Sequence, residues 1–231
     1  MTRSDLRDEL RFNLKRNSSA LPDSRLNTWL NWSLQYIADL HTYEEMRKTT
    51  TDTTPSDGTS NTMNFPTNMK DLYSITVQNG GQSTKLIYVY PRLFDKVIPR
   101  IEERGTDQPT HYVDYGTTYE LYPIPDQAYT LRIRYSKYPA EMTDDTDTPE
   151  LTRKDALIVA VATVFGFWSL REVEDAAYWG AQIVPTLYNA SLSSDHSAED
   201  WTPIARPYRV SGATLEGEWW KNPFTGRTLP Y

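Results

Sequence analysis

Two patterns of opposite period stand close together between Tyr129 and Trp168, and they constrain the fold more than anything else in the chain. Tyr129, Leu131, Ile133 and Tyr135 fall at every second position with Thr130, Arg132 and Arg134 between them, the signature of a strand buried on one face. From Ala156 to Trp168 the only polar side chain is Thr163, which predicts a helix buried nearly all round. That run is too short to span a bilayer, so it reads as a core helix. Asp144, Asp145, Asp147 and Glu150 join the two patterns in an acidic turn, placed where a helix N-terminus favours negative charge. Thr152 and Asp155 form a weaker relative of the capping box. Upstream, Tyr119 to Tyr122 reads as a shorter strand, and the turn at Pro123, Pro125 and Asp126 predicts that it folds back on the longer one as a β-hairpin.

The flanking chain supplies further helices and strands. Leu6, Leu10 and Leu14 recur every fourth residue, with Arg3, Asp5, Arg7, Asp8, Glu9 and Arg11 on the other faces, which predicts an amphipathic helix over 3–16. Leu21-Pro22-Asp23 breaks the chain, and Asp23 is the expected cap of a second helix through Leu26, Trp29, Leu30, Leu34, Ile37, Ala38 and His41, ending near Met46. His41 is expected to pack half-buried and to bind nothing. The Thr-, Ser- and Asp-rich stretch 49–62 lacks apolar alternation and reads as a loop. Strands are expected around 63–65, 72–78 and 84–89, with Asn79-Gly80 as a tight turn, and these join strands at 110–115, 119–122 and 129–136 in one antiparallel module. Beyond Trp168 the charged segment 170–175 bends the chain into a last helix through Ala176, Trp179, Ile183 and Leu187, which Pro185 should kink or shorten.

The fold class expected is therefore α+β, with a helical bundle built from the N- and C-terminal halves (1–47 and 140–192), an inserted antiparallel β-rich module (48–139) and an extended C-terminal arm (193–231). The arm is broken by Pro203, Pro207, Gly212, Gly217, Pro223, Gly226 and Pro230, yet it carries Trp201, Tyr208, Trp219, Trp220, Phe224 and Tyr231. So many large rings favour an arm lying on a neighbouring subunit or another partner over one folded back on its own domain. The aromatic content of 13%, with 16 Tyr and 7 Trp, points the same way, because such side chains join apolar area to a polar edge.

The formal net charge of −7 argues against binding nucleic acid through phosphate neutralisation. Without cysteine there is no disulfide, thiolate metal site or cysteine nucleophile. The N-terminal MTRSDLRDELRF has no apolar core segment, so a soluble protein made in a cytoplasm, with no membrane partner, is expected. Phosphate-loop, dinucleotide, zinc-protease and nucleophile-elbow motifs are all missing, and His41, His111 and His196 fall in three different kinds of segment. Neither an enzyme nor a cofactor is expected. The acidic turn fails as a calcium loop, since Pro149 stands where the sharp turn needs glycine. Arg92, Lys96, Arg100 and Arg104 recur four apart, but Pro99 interrupts them and Asp95, Glu102 and Glu103 offset their charge. They read as a solvated face before a DNA contact, with pairing to the Asp144, Asp145 and Asp147 turn of a neighbouring copy as a further candidate.

In order along the chain, Gln108-Pro109, Tyr112, Gly116, Leu121-Tyr122-Pro123, Pro125-Asp126, Tyr129 to Tyr135, Pro139, the acidic turn and the Ala-rich helix resemble the head-to-tail adaptor (connector) proteins of tailed bacteriophages. Leu26, Trp29, Leu30 and Asn31 look like the start of the second helix in that family. The resemblance covers roughly residues 3–190. It implies a structural virion protein at the head-tail junction that forms a homo-oligomeric ring, usually twelvefold, under the portal protein. It also implies a channel through which genomic double-stranded DNA passes without specific binding, and a docking platform for a downstream tail protein such as a nozzle, tail hub or stopper. The rival readings are another tail component (tail tube or baseplate) and, further off, a metal-dependent hydrolase using the acidic turn.

Overall fold

A computed structural model describes residues 1–16, 21–98, 100–101 and 105–193. These lie within one compact unit, Met1–Asp195. The chain is α+β. Among the described residues, helices α1 (Arg3–Leu14), α2 (Asp23–Leu40), α4 (Asp155–Ser169), α5 (Val173–Tyr178) and α6 (Val184–Ser193) flank eight strands and the short helix α3 (Pro91–Val97).

Leu6, Leu10 and Leu14 of α1 meet Leu26, Leu30, Leu34 and Ile37 of α2 and Leu157, Ile158 and Val161 of α4 in one buried cluster. Burial of each such side chain contributes about 1.5–3 kcal/mol, which far exceeds what helix propensity alone supplies. Gly166 sets how closely α1 and α4 cross, since a Cβ there would stand 2.8 Å from the Leu14 methyls. Two arginines depart from the expected exposed face of α1: Arg3 is 9% and Arg7 7% exposed, because the acidic turn covers them. The capping box also lies elsewhere. Thr2 and Asp5 form one at α1, whereas α4 starts after Lys154 with no side-chain cap, leaving Thr152 outside the helix. Similarly, Pro22 occupies the cap position of α2, and Asp23 pairs with Arg11 and Arg7 instead of capping. That helix ends at Leu40, short of Met46. Nor is α4 buried all round, since Trp168 is 64% exposed.

The strands form two four-stranded sheets and not one module sheet. In the first, the order is β1 (Arg47–Thr53), β8 (Thr130–Lys137), β3 (Met69–Asn79), β4 (Gln82–Lys85). In the second it is β2 (Thr62–Asn64), β7 (Thr118–Tyr122), β6 (His111–Asp114), β5 (Ile87–Val89). The expected hairpin of 119–122 with 129–136 is therefore absent: β7 turns back on β6, and β8 crosses to the other sheet between β1 and β3. The stretch expected as one strand at 84–89 divides at Leu86, which is 2% exposed and whose N–H reaches the Ile75 carbonyl, while the Ile87 N–H reaches Thr110. There β5 joins β6 in parallel, an exception to the antiparallel expectation. A real strand, β1, replaces the first part of the predicted 49–62 loop. It lacks apolar alternation because it is an edge strand, exposed along nearly its whole length. Ile75, Val77, Leu121, Tyr119, Leu131, Ile133 and Tyr135 belong to a second buried cluster.

After α5, the backbone makes one π-helical turn, Trp179–Ile183, and continues into α6 through Pro185. The wider turn accommodates the proline, which has no N–H to give and would crowd the carbonyl four residues back. The helix is not broken there.

Candidate functional site

The acidic turn is held by α1 and by its own backbone. Asp145 Oδ1 accepts from Arg3 Nη2 at 2.8 Å and from Arg7 Nη1 at 3.0 Å, and Oδ2 accepts from Arg7 Nη2 at 3.2 Å. Two unsatisfied N–H groups at the start of α1, those of Arg3 and Ser4, donate to the carbonyls of Asp147 and Asp145. Asn31 closes the other side: its amide donates to the Met142 carbonyl at 3.2 Å and its oxygen accepts the Met142 N–H at 3.1 Å. Bonds from Arg7 and then Arg3 hold the Asp145 carboxyl below the ordinary aspartate range. Asp147 is lowered by the N–H groups of Asp144 and Thr143. For Glu150, burial pulls upward, but the Lys137 ammonium and the Ala140 N–H outweigh it and the result is lowered.

Each of these three carboxylates thus has its own partner. Among the described residues, no three His, Asp or Glu side chains gather where they could share a metal ion. Of the residues expected at a subunit interface, Asp145 and Asp147 are engaged within the chain, and Asp144 is exposed beside them. Arg92 and Lys96 lie exposed on α3, which ends at Val97, so Arg100 stands beyond the helix and the four cations do not form one helical row. Arg104 and the aromatic set Trp201, Tyr208, Trp219, Trp220, Phe224 and Tyr231 lie outside the described residues. His41 is half-buried and edge-on to Tyr43 at 4.7 Å.

Two open apolar surfaces stand out that the sequence did not single out. On edge strand β5 and the helix after it, Ile87, Tyr88, Tyr90, Leu93 and Val97 are all exposed, with Tyr90 at 69% and Leu93 at 53%. Tyr88 lies edge-on to Tyr90 (5.1 Å) and tilted against Tyr112 (5.5 Å), so these rings form one patch. On α2, Trp32, Tyr36 and Leu40 repeat every four residues as an exposed stripe, and Phe165 of α4 meets both rings edge-on at 6.3 and 6.1 Å. The four-residue spacing of 32, 36 and 40 was the available signal for the second surface. For the first there was none, because β5 and α3 expose side chains that their apolar character would place inside. Beside α1 and α4, an open groove of about 590 Å³ has the apolar walls Val159, Trp179 and Ile183, with Glu9, Asn13 and Arg153 at its rim.

Exposed apolar surfaces of this kind mark places where a protein meets a partner. No curated protein matches the chain. The model of the SU10 adaptor protein family matches residues 1–209, which is most of the chain, so the protein belongs to that family of phage structural adaptors.

Proposed function

We propose that this adaptor forms a homo-oligomeric ring beneath the portal protein at the head-tail junction, prolongs the DNA channel and gives the next tail component its platform. The observation that carries the reading is the presence of two different exposed apolar surfaces on one chain, the β5–α3 patch and the Trp32–Tyr36–Leu40 stripe. A ring with a head-to-tail interface needs such a pair, since unlike patches of neighbouring copies must meet. Contiguous apolar exposure would otherwise be a liability for a protein that stays alone in water. We assign the helices of 1–47 and 140–192 to one working part, the strands of 48–139 to another, and residues 193–231 to an arm that reaches the portal or a neighbour. Within the interface, Arg92, Lys96 and Arg100 face an acidic partner surface, and Asp144 is the member of the acidic turn left to serve as one.

Native mass measurement of the purified protein, alone and mixed with the portal assembly of the same phage, tests this. The expected product is one portal carrying a full ring of this chain, twelve copies by family resemblance. If the chain and the portal never share a complex at physiological salt, the proposal fails.

A further inference from the structure

The outward face of the β1-β8-β3-β4 sheet carries its own chemistry. Because Leu131, Ile133 and Tyr135 of β8 point into the core, Thr130, Arg132 and Arg134 point the other way. The register then builds the face row by row. Arg132 stands between Thr51 of β1 and Thr76 of β3, and Thr76 in turn faces Lys85 of β4. Arg134 stands between Thr49 and Ser74. Thr130 stands between Thr53 and Gln78, with Ser83 beyond. Three cations are thus set among hydroxyls and one amide. Among the described residues, Arg132, Arg134 and Lys85 make no ion pair with a carboxylate. Of the nearby acids, Asp52 belongs to the opposite face by its register with Leu131, and Asp71, one row beyond Arg134, is engaged by the Ser136 hydroxyl, which donates to its carboxylate at 3.3 Å.

In a chain of net charge −7, three unpaired cations on one flat surface, free of apolar side chains at every register position named, need a polyanion that itself requires no apolar anchor. A protein partner would be expected to bring a buried apolar or aromatic centre to its contact, and no apolar side chain stands at these register positions; the nearest exposed ring is Tyr73, in the bulge beside Ser74. Single-stranded nucleic acid would need rings to stack its bases, and none stands at those positions. Reading bases in a groove takes a protruding helix or ribbon, and this face is the broad side of a four-stranded sheet. Phosphates along a duplex, by contrast, are contacted by Arg and Lys with Ser, Thr and Gln side chains as neutral donors. Arg132 and Arg134, two residues apart on one strand, are spaced by roughly 7 Å, and Lys85 lies two strands away, roughly 10 Å off.

We propose that this sheet face contacts the phosphate backbone of double-stranded nucleic acid, weakly and without sequence preference. The inference stands apart from the portal proposal, because duplex binding is measured with no portal present. Fluorescence anisotropy of labelled duplexes of unrelated sequence is titrated with the full chain between 50 and 200 mM salt, conditions in which phosphate contacts respond steeply. With three cations engaged, the slope of log affinity against log salt is expected near about −2.7, the same for every sequence. Arg134→Gln with Lys85→Gln should lower the affinity and bring the slope to about −0.9. Lys15→Gln with Arg171→Gln, exposed just past the C-terminal ends of α1 and α4, should change neither, and unchanged circular dichroism melts would show that both variants fold. Equal duplex binding by the sheet variant overturns the inference, as does a preference for single strands. It is equally overturned if the sheet variant keeps duplex binding but loses association between copies or with the portal, for then the face is a protein contact.

Discussion

At the scale of single residues, charge placement departs most from what a linear reading gives. Asp145 reads as a solvated acid in a turn, yet its carboxylate is the anchor for Arg3 and Arg7, which lie more than a hundred residues earlier in the chain and are nearly buried. Its bonds to Arg7 and Arg3 lower its pKa from the ordinary value of 3.8. The native state therefore binds the proton less readily than the unfolded chain. The stability this confers is fully present above about pH 4 and is lost as pH falls through the lower native value. Asp145→Asn should reduce the urea midpoint at pH 7, and its deficit against the unaltered chain should shrink as the pH is brought to about 2.5. A deficit of the same size at both pH values would show that the carboxylate's charge is not what holds the turn. Tyr119 makes the opposite case. It is fully buried against Phe65, its hydroxyl finds no hydrogen-bond partner among the described residues, and burial pushes its pKa up. Tyr119→Phe removes a desolvated group and no bond, so a gain of about 1 kcal/mol is expected in urea denaturation. A clear loss would mean that the hydroxyl has a partner.

At the scale of elements, periodicity told which face of a segment is buried but not which segment lies beside it. The alternation at Tyr129–Tyr135 placed β8 correctly and its apolar face inside, because burial on one side is written into every second residue. Its pairing with β1 and β3, and not with β7, depends on contacts distant in sequence that leave no local trace. Likewise β1 was missed since an exposed edge strand needs no apolar residue, only side chains such as its threonines that suit an extended backbone. Apolar helices α1, α2 and α4 were legible for the converse reason: their stripes are long and regular. The turn between β3 and β4 was found one residue early. Asn79 pairs with Gln82, so Gly80 and Gly81 are the central pair, with φ of 53° and 87°. Asn tolerates the first of these angles, whereas a β-branched residue does not tolerate the second. Gly80→Asn should leave thermal stability nearly unchanged, and Gly81→Val should cost about 1–2 kcal/mol. Equal effects of the two would place the turn at Asn79-Gly80 after all.

At the scale of the whole molecule, the two apolar surfaces make a prediction that no single-site change can make. If the β5–α3 patch of one copy meets the α2 stripe of the next, each copy offers two unlike ends, and growth proceeds in one direction until the ring closes. Tyr90→Ser with Leu93→Asp spoils one end, and Trp32→Ser with Tyr36→Ser spoils the other. All four side chains are exposed, so each variant should stay folded and lose little stability in a thermal melt. Under conditions in which the unaltered chain assembles, neither variant alone should advance beyond the monomer, for every contact would join an intact end to a spoiled one. Mixed in equal amounts, they still possess one matched pair of intact ends between them. That pair can be used once, and the complex it forms presents only spoiled ends, so native mass should show a heterodimer that grows no further. An interface that joins like patches gives a different result: each variant then keeps one intact self-complementary surface and forms a homodimer by itself, and mixing creates no new preferred species. Rings from either variant alone would show that neither surface carries the contact. The heterodimer discriminates because it requires both surfaces, on different copies, to be the two halves of one joint.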